Sequence, residues 1–551
     1  MTISVRCTPA LIGHVRPLAR RAVACRPLPA PAPMLAAVPP ARRCLAPRAQ
    51  SSDSLPSVEA APAPAPIAAP RMVRSKPAPP AEPRAKSRVV VLGSGWGAVA
   101  FIKNLDPRMF GEDGPYELVL VSPRNFMLYT PLLPSAVGGV VSENSIVESI
   151  RSLLRGKGTY YEASVAGIDP ASRTLTCIKQ FCEVCAARMD SGAYVPHTEA
   201  DHTFTVPYDV LLCSVGAVSA TFGTPGVHER CYFLKSMEDA RKLRKHISKT
   251  LEQAALPNVT PEQRKKMLSF VVVGGGPTGV EVAAELHDLM AEDVKRILPQ
   301  LKDDISITLV DGTDSLLNSF HTEIQTYAGE VFRHSGINLR MGCRVTAVTD
   351  GEVAVQRKDG SADVVPFGTC VWATGIAMHP LVAALQAQLP AEVQGSRRGL
   401  LVDPHLRVLG SQGTIFCLGD AAVTGATPQT ALPPTAQVAR QQGEYLAALF
   451  SHHRLGLQEQ PEPATGDLVP LPAGAKPFQY LHLGSLAYLG SQKGVMDLPF
   501  KTPFLKTLRG YLGGQTWRTL ETFMQISPRT RWLVMHDWIR AALFGRNISD
   551  V

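Results

Sequence analysis

The sequence has no long uninterrupted run of apolar residues. No stretch of the 551 residues approaches the roughly 18 to 20 apolar residues that a membrane-spanning helix requires, so we expect no transmembrane segment. The N-terminal residues also lack the continuous apolar segment of a secretory signal peptide, and no acidic residue precedes Asp53. This composition argues against a secretory signal and predicts an organelle transit peptide instead.

Cysteine is too scattered to form a disulfide framework. The 11 cysteines include one close pair, Cys182 and Cys185, and their overall spacing is typical of a reducing compartment. Zinc ligands would be available from Cys177, this pair, His197 and His202, but their spacing fits no standard zinc pattern. The sequence also has no Asp-x-Asp-x-Asp-Gly calcium loop. We therefore predict no metal site, and a surface loop with incidental thiols in this region.

Acidic residues are scarce at the N-terminus and balanced by basic residues elsewhere. Residues 1–87 contain 13 Lys/Arg and 3 Asp/Glu, whereas the remaining residues contain 43 and 44. The formal net charge of +9 therefore belongs to the leader, and the rest of the chain has no basic excess with which to bind nucleic acid. We predict that residues 1–87 are a transit peptide and a Pro/Ala linker, directed to a mitochondrion or a plastid. A disordered tail without a targeting function is the alternative.

Glycine, in contrast, recurs in two fingerprints about 180 residues apart. In each, a short β-branched strand runs into glycines and then into a helical pattern, an arrangement in which backbone N–H groups can approach a pyrophosphate. The glycines are Gly93, Gly95 and Gly97 in the first unit and Gly274, Gly276 and Gly279 in the second. Two such units in one chain predict an α/β fold that holds two dinucleotides face to face.

The residue after the second strand of each unit bears on which nucleotide binds. In the second unit, Asp311 follows the strand 305–310, where a carboxylate accepts from a ribose 2′-hydroxyl and repels a 2′-phosphate. We therefore expect NADH rather than NADPH there, the alternative being that Asp311 only caps a turn. The first unit has Ser122 and Arg124 at this place, which from spacing alone could also bind the 2′-phosphate of NADP.

Two further carboxylates are candidates for chemistry. Glu281 lies just inside the helix of the second unit, where it could orient a nicotinamide carboxamide or relay a proton. It could equally be a first-turn acid favoured by the helix dipole. Asp420 follows a strand, where it could bind a flavin ribityl hydroxyl or cap the next turn.

The C-terminal region mixes aromatic residues with arginine. From Pro528 to Phe544, apolar residues recur at a helical period, which predicts an amphipathic helix that lies in a bilayer interface. A core-packing helix or a dimer interface is the alternative. The apolar positions are Trp532, Met535, Ile539 and Leu543, with Trp538 as a second tryptophan.

Local patterns place the remaining elements and the domain limits. We predict a helix over 142–154 from the spacing of its apolar residues, and helix N-caps at Ser236 and at Thr260. The predicted divisions are a first flavin-binding part, an inserted NADH-binding domain, a second flavin-binding part and a membrane-binding region. Their limits are residues 88–235, 236–378, 379–476 and 477–551.

These residues together resemble the type II NAD(P)H:quinone oxidoreductases, the alternative rotenone-insensitive NADH dehydrogenases of plants and algae. The resemblance covers roughly residues 88–551 and depends on many segments in the same order. They include Gly93-Ser-Gly-Trp-Gly97, Ser122-Pro-Arg-Asn125, Thr130-Pro-Leu-Leu-Pro134, Phe222-Gly-Thr-Pro-Gly-Val227, Gly274-Gly-Gly-Pro-Thr-Gly-Val-Glu281, Ala373-Thr-Gly375, Leu418-Gly-Asp420, Pro434-Thr-Ala-Gln-Val-Ala439 and Phe544-Gly-Arg-Asn-Ile-Ser549.

The resemblance implies a glutathione-reductase-like flavoprotein with two Rossmann-like domains and a C-terminal amphipathic helical region that binds the membrane. Non-covalent FAD would bind the first unit and NADH the second, with Glu281 near the nicotinamide. Ala436 and Gln437 would lie beside the flavin ring where quinone enters, and Trp532 and Trp538 would contact the membrane. The family more often has Glu where Asp311 stands. FAD would contact Gly93, Gly95, Gly97, Ser122, Arg124, Gly216 and Asp420; NADH would contact Gly274, Gly276, Gly279, Asp311 and Gly375.

The expected activity is transfer of electrons from NADH through FAD to ubiquinone or plastoquinone without proton pumping. The first helix has no Cys-x₄-Cys pair, so no redox-active disulfide is expected beside the flavin. We expect a peripheral protein of the mitochondrial inner membrane, or of the stromal side of the thylakoid, that could form a homodimer. The alternatives are a soluble flavin reductase with a protein acceptor and a flavoprotein like apoptosis-inducing factor. The amphipathic C-terminal region and the near-neutral charge argue against them.

Overall fold

The computed structural model describes residues 86–110, 113–179, 202–425, 431–453, 455–456, 458, 466–499 and 507–548. Within these ranges, strands and helices alternate through most of the chain. Cys182, Cys185 and His197, from the candidate zinc ligands, lie outside the described residues.

The strands are numbered in chain order. They are β1 (Ser87–Leu92), β2 (Tyr116–Ser122), β3 (Phe126–Leu128), β4 (Val147–Ser149), β5 (Thr159–Asp169), β6 (Thr174–Lys179), β7 (Thr203–Pro207), β8 (Val210–Cys213), β9 (Ala217–Ser219), β10 (Tyr232–Phe233), β11 (Ser269–Val273), β12 (Ser306–Val310), β13 (Asn338–Arg340), β14 (Cys343–Thr349), β15 (Glu352–Arg357), β16 (Ala362–Pro366), β17 (Thr369–Trp372), β18 (Ile376–Met378), β19 (Leu400–Leu401), β20 (Ile415–Cys417), β21 (Ala422–Val423), β22 (Ser485–Gly490), β23 (Lys493–Asp497) and β24 (Thr507–Arg509).

The helices are numbered in the same way. They are α1 (Trp96–Asn104), α2 (Leu133–Val137), α3 (Ile150–Leu154), α4 (Val227–Arg230), α5 (Met237–Ala254), α6 (Pro261–Met267), α7 (Pro277–Asp288), α8 (Lys295–Ile297), α9 (Thr322–His334), α10 (Pro380–Gln386), α11 (Ala436–His452), α12 (Gly510–Phe523) and α13 (Pro528–Phe544). Single 3₁₀ turns cover Thr130–Leu132, Glu143–Ser145, Pro299–Leu301 and Gly419–Ala421, and a π-helical turn, Leu289–Val294, continues α7.

Two sheets form the framework. The first has seven strands in the order β20-β8-β1-β2-β5-β6-β7, of which β20 to β5 are parallel and the last two pairings are antiparallel. The second has five parallel strands in the order β10-β17-β11-β12-β13. The chain completes the second sheet between β8 and β20 of the first. The second fold unit is thus inserted into the first, and it begins at Tyr232, slightly before the predicted domain limit.

The strands at the centre of each sheet are almost fully apolar and buried. Val89, Val90 and Val91 in β1 have no exposed side-chain surface, and neither has Val272 in β11. A parallel sheet covered on both faces by helices requires such continuous apolar strands, because neither face is in contact with water. This burial fixes the carboxyl end of each strand, where the glycine-rich turns begin.

The predicted helix caps are confirmed. Ser236 forms a capping box with Asp239 at the start of α5, and Thr260 forms one with Gln263 at the start of α6. The helix predicted over 142–154 is wrong in its first part. This segment instead forms a 3₁₀ turn and then β4, which pairs with β3, and only α3 is helical.

The C-terminal region consists of a small antiparallel sheet and two helices. Strands β22, β23 and β24 form the sheet, α12 packs on β23, and β22 packs on α7 of the second unit. Among the residues that the structure describes, no helix combines the length and the apolar character needed to cross a bilayer.

Candidate functional site

The first glycine-rich turn is built for close backbone packing and an open helix end. Gly93 has φ +101°, and a Cβ at this position would lie 2.3 Å from the carbonyl oxygen of Ser214. A Cβ on Gly95, the N-cap of α1, would meet no atom within 4 Å. Because no side chain caps α1 and its first turn has no acidic residue, its N–H groups are available to an anion.

The second turn repeats this arrangement and is tightest at its third glycine, Gly279. Gly274 has φ +122°, and a Cβ there would lie 2.6 Å from the carbonyl oxygen of Ala373. A Cβ on Gly279 would lie 1.9 Å from the carbonyl oxygen of Gly274, so only glycine fits where the helix crosses its own turn. Gly276, the N-cap of α7, again faces open space and α7 has no side-chain cap.

The two units differ at the position after their second strand. The Asp311 carboxylate accepts the backbone N–H of Gly275 at 2.5 Å and that of Thr313 at 2.6 Å. It therefore braces the glycine turn whether or not it also binds a ribose. Ser122 is buried, its hydroxyl donates to the Ser94 hydroxyl at 3.0 Å, and it accepts the backbone N–H of Arg124 at 3.2 Å.

Asp420 lies at the end of β20, in a 3₁₀ turn that lines an open recess of about 530 Å³. Its carboxylate lies 3.6 Å from the Lys235 ammonium, a residue that the sequence analysis did not single out as a site residue. The N–H of Gly419 donates to the Gln442 side chain of α11 at 2.7 Å, which ties this turn to that helix. Arg397 and Arg398 line the same recess.

Gly216 and Gly375 follow strands of the two sheets and both have φ +71°. A Cβ on Gly216 would face open space, whereas a Cβ on Gly375 would lie 2.3 Å from the ring of Phe222. The Phe222 ring is 69 % exposed and its backbone φ is +53°, an unfavourable value for a bulky side chain. The exposed ring and Gly375 therefore lie together beside the second unit.

Glu281 lies on the inner face of α7, under the C-terminal region. Its carboxylate accepts the backbone N–H of Tyr488 in β22 at 3.2 Å. Burial raises the pKa of Glu281 well above its ordinary value of 4.5, and the neighbouring Glu521 carboxyl raises it further; the hydrogen bonds from Tyr488 and Trp517 oppose this. A carboxyl whose pKa is raised in this way keeps its proton to a higher pH than an exposed glutamate does.

Gln437 and Ala436 begin α11, whose N-cap is Thr435. The Gln437 side chain donates to the carbonyl oxygen of Gly484 at 2.7 Å and accepts the N–H of Leu483 at 3.2 Å. One turn later, Gln441 pairs in both directions with the backbone of Leu481. The first turn of α11 thus holds the segment that precedes β22.

The C-terminal helices expose several large apolar side chains, here together called the apolar surface. Trp532 is 64 % and Leu543 70 % exposed, although both are large and apolar. Trp538 is not part of this surface, because it is half-buried with its ring 5.8 Å from that of Trp517. The membrane-contact prediction therefore does not extend to Trp538. The apolar surface comprises Tyr511, Leu512, Phe523, Trp532, Met535, Ile539, Leu543 and Phe544.

A buried tyrosine–glutamate pair escaped the sequence analysis. The hydroxyl of Tyr129 donates to the Glu521 carboxylate at 2.8 Å, and the residues are 1 % and 3 % exposed. Tyr129 stacks edge-on against Trp96, the first residue of α1. The sequence does mark Glu521 as unusual, because it is the only acidic residue between Asp497 and Asp537.

The residues present fit two bound dinucleotides. Each glycine turn ends at an uncapped helix N-terminus that faces open space, as a pyrophosphate site requires. The carboxyl ends of β1 and β11 each lie at such a turn, with Asp420 beside the first and Asp311 beside the second. This is the donor set that FAD and NADH would need.

Comparison with known proteins agrees with this geometry. Residues 87–443 match the family model of the pyridine nucleotide-disulphide oxidoreductases, and residues 482–547 match that of the NDH2 C-terminal domain. The chain is 36 % identical over 505 residues to the mitochondrial external alternative NADH-ubiquinone oxidoreductase of Yarrowia lipolytica, covering 85 % of this chain and 81 % of that protein. It is 33 % identical over 556 residues to the mitochondrial external alternative NAD(P)H-ubiquinone oxidoreductase B2 of Arabidopsis thaliana, covering 85 % and 90 %.

Solved structures give the same result. NDH2 from Plasmodium falciparum in complex with NADH superposes with a TM-score of 0.72 at 27 % identity, covering 84 % of this chain and all of that chain. The sulfide:quinone oxidoreductase of Aquifex aeolicus, with a TM-score of 0.56 at 16 % identity, shares the fold. The chain belongs to the pyridine nucleotide-disulphide oxidoreductases and, within them, to the type II NADH dehydrogenases.

Proposed function

We propose that this protein oxidises NADH and reduces a membrane quinone. The observation that supports this most directly is the pair of glycine turns with uncapped helix N-termini, joined by one C-terminal region that contacts both units. When bound, FAD would accept a hydride from NADH and pass two electrons on. We propose that ubiquinone is the acceptor and the mitochondrion the location, because the relatives named above are mitochondrial NADH- or NAD(P)H-ubiquinone oxidoreductases.

The roles of the chain's own residues follow from their positions. Gly93, Gly95 and Gly97 would admit the FAD pyrophosphate to the start of α1, and Asp420 would bind the ribityl chain. Gly274, Gly276 and Gly279 would do the same for NADH, and Asp311 would bind its ribose while bracing the turn. At the edges of the two sites, FAD would also contact Ser122, Arg124 and Gly216, and NADH would also contact Gly375.

Glu281 and Gln437 are the proposed catalytic residues. Glu281 is buried and its pKa is raised by that burial, so it could orient the nicotinamide carboxamide or relay a proton. Gln437 and Ala436 lie at the start of α11, the helix tied to the Asp420 turn through Gln442. Gln437 would therefore position the segment 481–484 at the quinone entrance.

The apolar surface is the proposed membrane contact. It presents aromatic and aliphatic side chains from α12 and α13, and Leu481 and Leu483 are also exposed near the start of α11. Such a surface can enter the headgroup boundary without a spanning helix. A quinone dissolved in the bilayer would then reach the protein next to Gln437.

The function is tested by steady-state turnover of the purified full-length protein loaded with FAD. We expect rapid NADH oxidation that depends on a short-chain ubiquinone, at least tenfold slower oxidation of NADPH, and no dependence on an added protein acceptor. Turnover only with a protein acceptor would reject the quinone reductase in favour of a protein-linked reductase.

The membrane contact is tested by flotation with vesicles that contain anionic lipid. The double change Trp532→Ser and Leu543→Ser should abolish flotation, because it removes two of the most exposed apolar side chains. The matched control Leu256→Ser, also exposed but on the NADH-binding side, should float normally. If the double variant still floats but becomes monomeric in solution, the surface is a dimer interface instead.

A further inference from the structure

The pair formed by Tyr129 and Glu521 joins the first unit to the C-terminal region, near Glu281 of the second unit. Tyr129 contacts the first residue of α1 through Trp96, and the Trp96 indole donates to the neighbouring Thr130 hydroxyl at 3.1 Å. Glu521 comes from the C-terminal helix α12. Neither residue belongs to a glycine turn, so the pair has no role in holding a pyrophosphate.

Helix α12 carries this carboxyl on its inner face. Gly513, Gly514, Trp517 and Glu521 are buried, whereas Tyr511, Leu512 and Phe523 are exposed on the outer face. The helix therefore separates the apolar surface from the interior. Glu521 lies one helical turn after Trp517, whose ring stacks on that of Tyr488 at 5.0 Å. Tyr488 in turn donates its N–H to Glu281.

The charged groups that act on Tyr129, apart from Glu521 itself, come from two other elements. The charges of Glu281 on α7 and of Arg440 on α11 act on Tyr129, and the Glu521 carboxyl raises the pKa of Glu281. Tyr129 packs on Trp96 at the start of α1, and α1 packs closely on α11, the helix whose first turn is proposed for the quinone entrance. On α12 itself, Arg518 is directed away, over the rings of Tyr488 and Trp538.

We propose that Tyr129 and Glu521 form a proton-holding pair that supplies, through the Tyr129 hydroxyl, the proton that quinone reduction takes up from solution. The inference rests on the proposed function. NADH brings two electrons and one proton as hydride, whereas a quinone needs two electrons and two protons to become a quinol. One further proton must therefore enter from water for each NADH oxidised.

The transfer balances within the pair. Tyr129 gives its hydroxyl proton to the quinone oxygen and receives the Glu521 carboxyl proton, leaving Glu521 as a carboxylate. Solution then returns one proton to Glu521. Burial raises the pKa of Glu521 to about 7, while the hydrogen bond from Tyr129 lowers it, so the carboxyl can be half-protonated at neutral pH. Burial raises the pKa of Tyr129 further above its range, so the phenol keeps its own proton at rest.

The first test measures the carboxyl itself by infrared difference spectroscopy of the full-length holoprotein between about pH 5 and 9. Wild type should show a protonated-carboxyl band with a midpoint near pH 7. Glu521→Gln should lose this band while keeping an acceptor for Tyr129. Tyr129→Phe should move the midpoint to higher pH, because it removes the hydrogen bond that favours the carboxylate. The control Glu252→Gln, at an exposed position on α5, should change nothing.

The second test separates the two half-reactions by anaerobic mixing. In Glu521→Gln, reduction by NADH should stay within about twofold of wild type, and reoxidation by a short-chain ubiquinone should be about tenfold slower at pH 6 and lose its pH dependence. An unchanged pH dependence in Glu521→Gln, or an equal fall in both half-reactions, would overturn the proposal. If wild type itself is not reoxidised by quinone, it is the proposed function that fails.

Discussion

The two dinucleotide-binding units have the same strand, glycine turn and helix, but different elements cover their helices. Helix α1 packs on α11 with backbone in near contact, since a Cβ on Gly443 would lie 2.3 Å from the carbonyl oxygen of Gly97. Helix α7 is covered by β22 and by Arg546, which follows α13. Helix α1 is thus covered mainly by a helix of its own unit, whereas α7 depends on the C-terminal region, which also contacts the first unit through Tyr129 and Glu148.

The acidic character of α7 explains this dependence. Four carboxylates on α7 and the π-helical turn after it surround one guanidinium, that of Arg546, whose side chain is 8 % exposed. Burial raises the pKa of Glu285, and the charge of Arg546 opposes that rise. The four carboxylates lie 3.7 Å (Glu285), 3.7 Å (Asp288), 2.7 Å (Glu292) and 3.2 Å (Asp293) from the guanidinium nitrogens.

Removing the Arg546 cation should destabilise the protein more than any other change considered for the two units. Arg546→Met leaves buried carboxylates without their counter-charge, so we expect the free energy of unfolding to fall by about 3 to 5 kcal/mol. Urea denaturation of the full-length holoprotein measures it. The control Arg531→Met, at an exposed position on α13, should change stability by less than about 0.5 kcal/mol. Equal effects of the two changes would show that the second unit does not depend on Arg546.

Glu521, whose carboxyl bonds to Tyr129 of the first unit, should make the stability of the protein depend on pH. Because the pKa of Glu521 rises from 4.5 to about 7 on folding, the folded chain binds this proton more tightly than the unfolded chain. Stability should therefore fall as pH rises from about 4.5 to 7, by on the order of 3 kcal/mol from this group. Thermal unfolding of Glu521→Gln should show a flatter profile, with a stability above wild type at pH 8. A profile parallel to wild type would contradict this.

A smaller change in stability is expected at the position that Gly279 occupies in the second unit and Ala98 in the first. Gly279→Ala places a methyl group 1.9 Å from a carbonyl oxygen, so we expect a loss of about 2 kcal/mol and weaker NADH binding. Ala98 occupies the equivalent place in α1, where the methyl group is buried and accommodated. Ala98→Gly should cost only about 1 kcal/mol. Denaturation and NADH titration of both variants test whether the second helix really lies closer to its turn.

The residue after the second strand, Asp311 in the second unit and Ser122 in the first, should affect the preference for NADH over NADPH in the second unit only. Asp311→Asn removes the charge that repels a 2′-phosphate and keeps one oxygen for the N–H of Gly275, so we expect the preference for NADH over NADPH to narrow about tenfold. Ser122→Ala in the first unit should leave this preference unchanged. The ratio of kcat/KM for the two nucleotides is the measurement. If Ser122→Ala changed that ratio, the pyridine nucleotide would bind the first unit, and our assignment of NADH to the second unit would be wrong.

The sequence sufficed where a residue acts on its own neighbours. Glycine turns follow from backbone φ and close approach, and the caps at Ser236 and Thr260 follow from bonds over three residues. It failed over 142–154, where the spacing of the apolar residues predicted a helix. Glu148 is buried and accepts the hydroxyl of Ser527, so the segment alternates in burial as a strand does.

The distant contacts could not be predicted from local patterns. Trp538 fitted a membrane-facing stripe by composition, yet its ring packs against Trp517 on the other C-terminal helix. The pairing of Tyr129 with Glu521 spans 392 residues. No short-range period reports such a contact, because only the packing of the C-terminal region on both units creates it.

Electron transfer from NADH through the flavin to quinone is tested most directly by anaerobic stopped-flow mixing of the flavin-loaded full-length protein, first with NADH and then with a short-chain ubiquinone. We predict fast bleaching of the flavin by NADH, slower bleaching by NADPH, and full recovery of the flavin absorbance on mixing with quinone. Bleaching without recovery by quinone would contradict quinone reduction, because it would show that electrons leave the flavin to another acceptor.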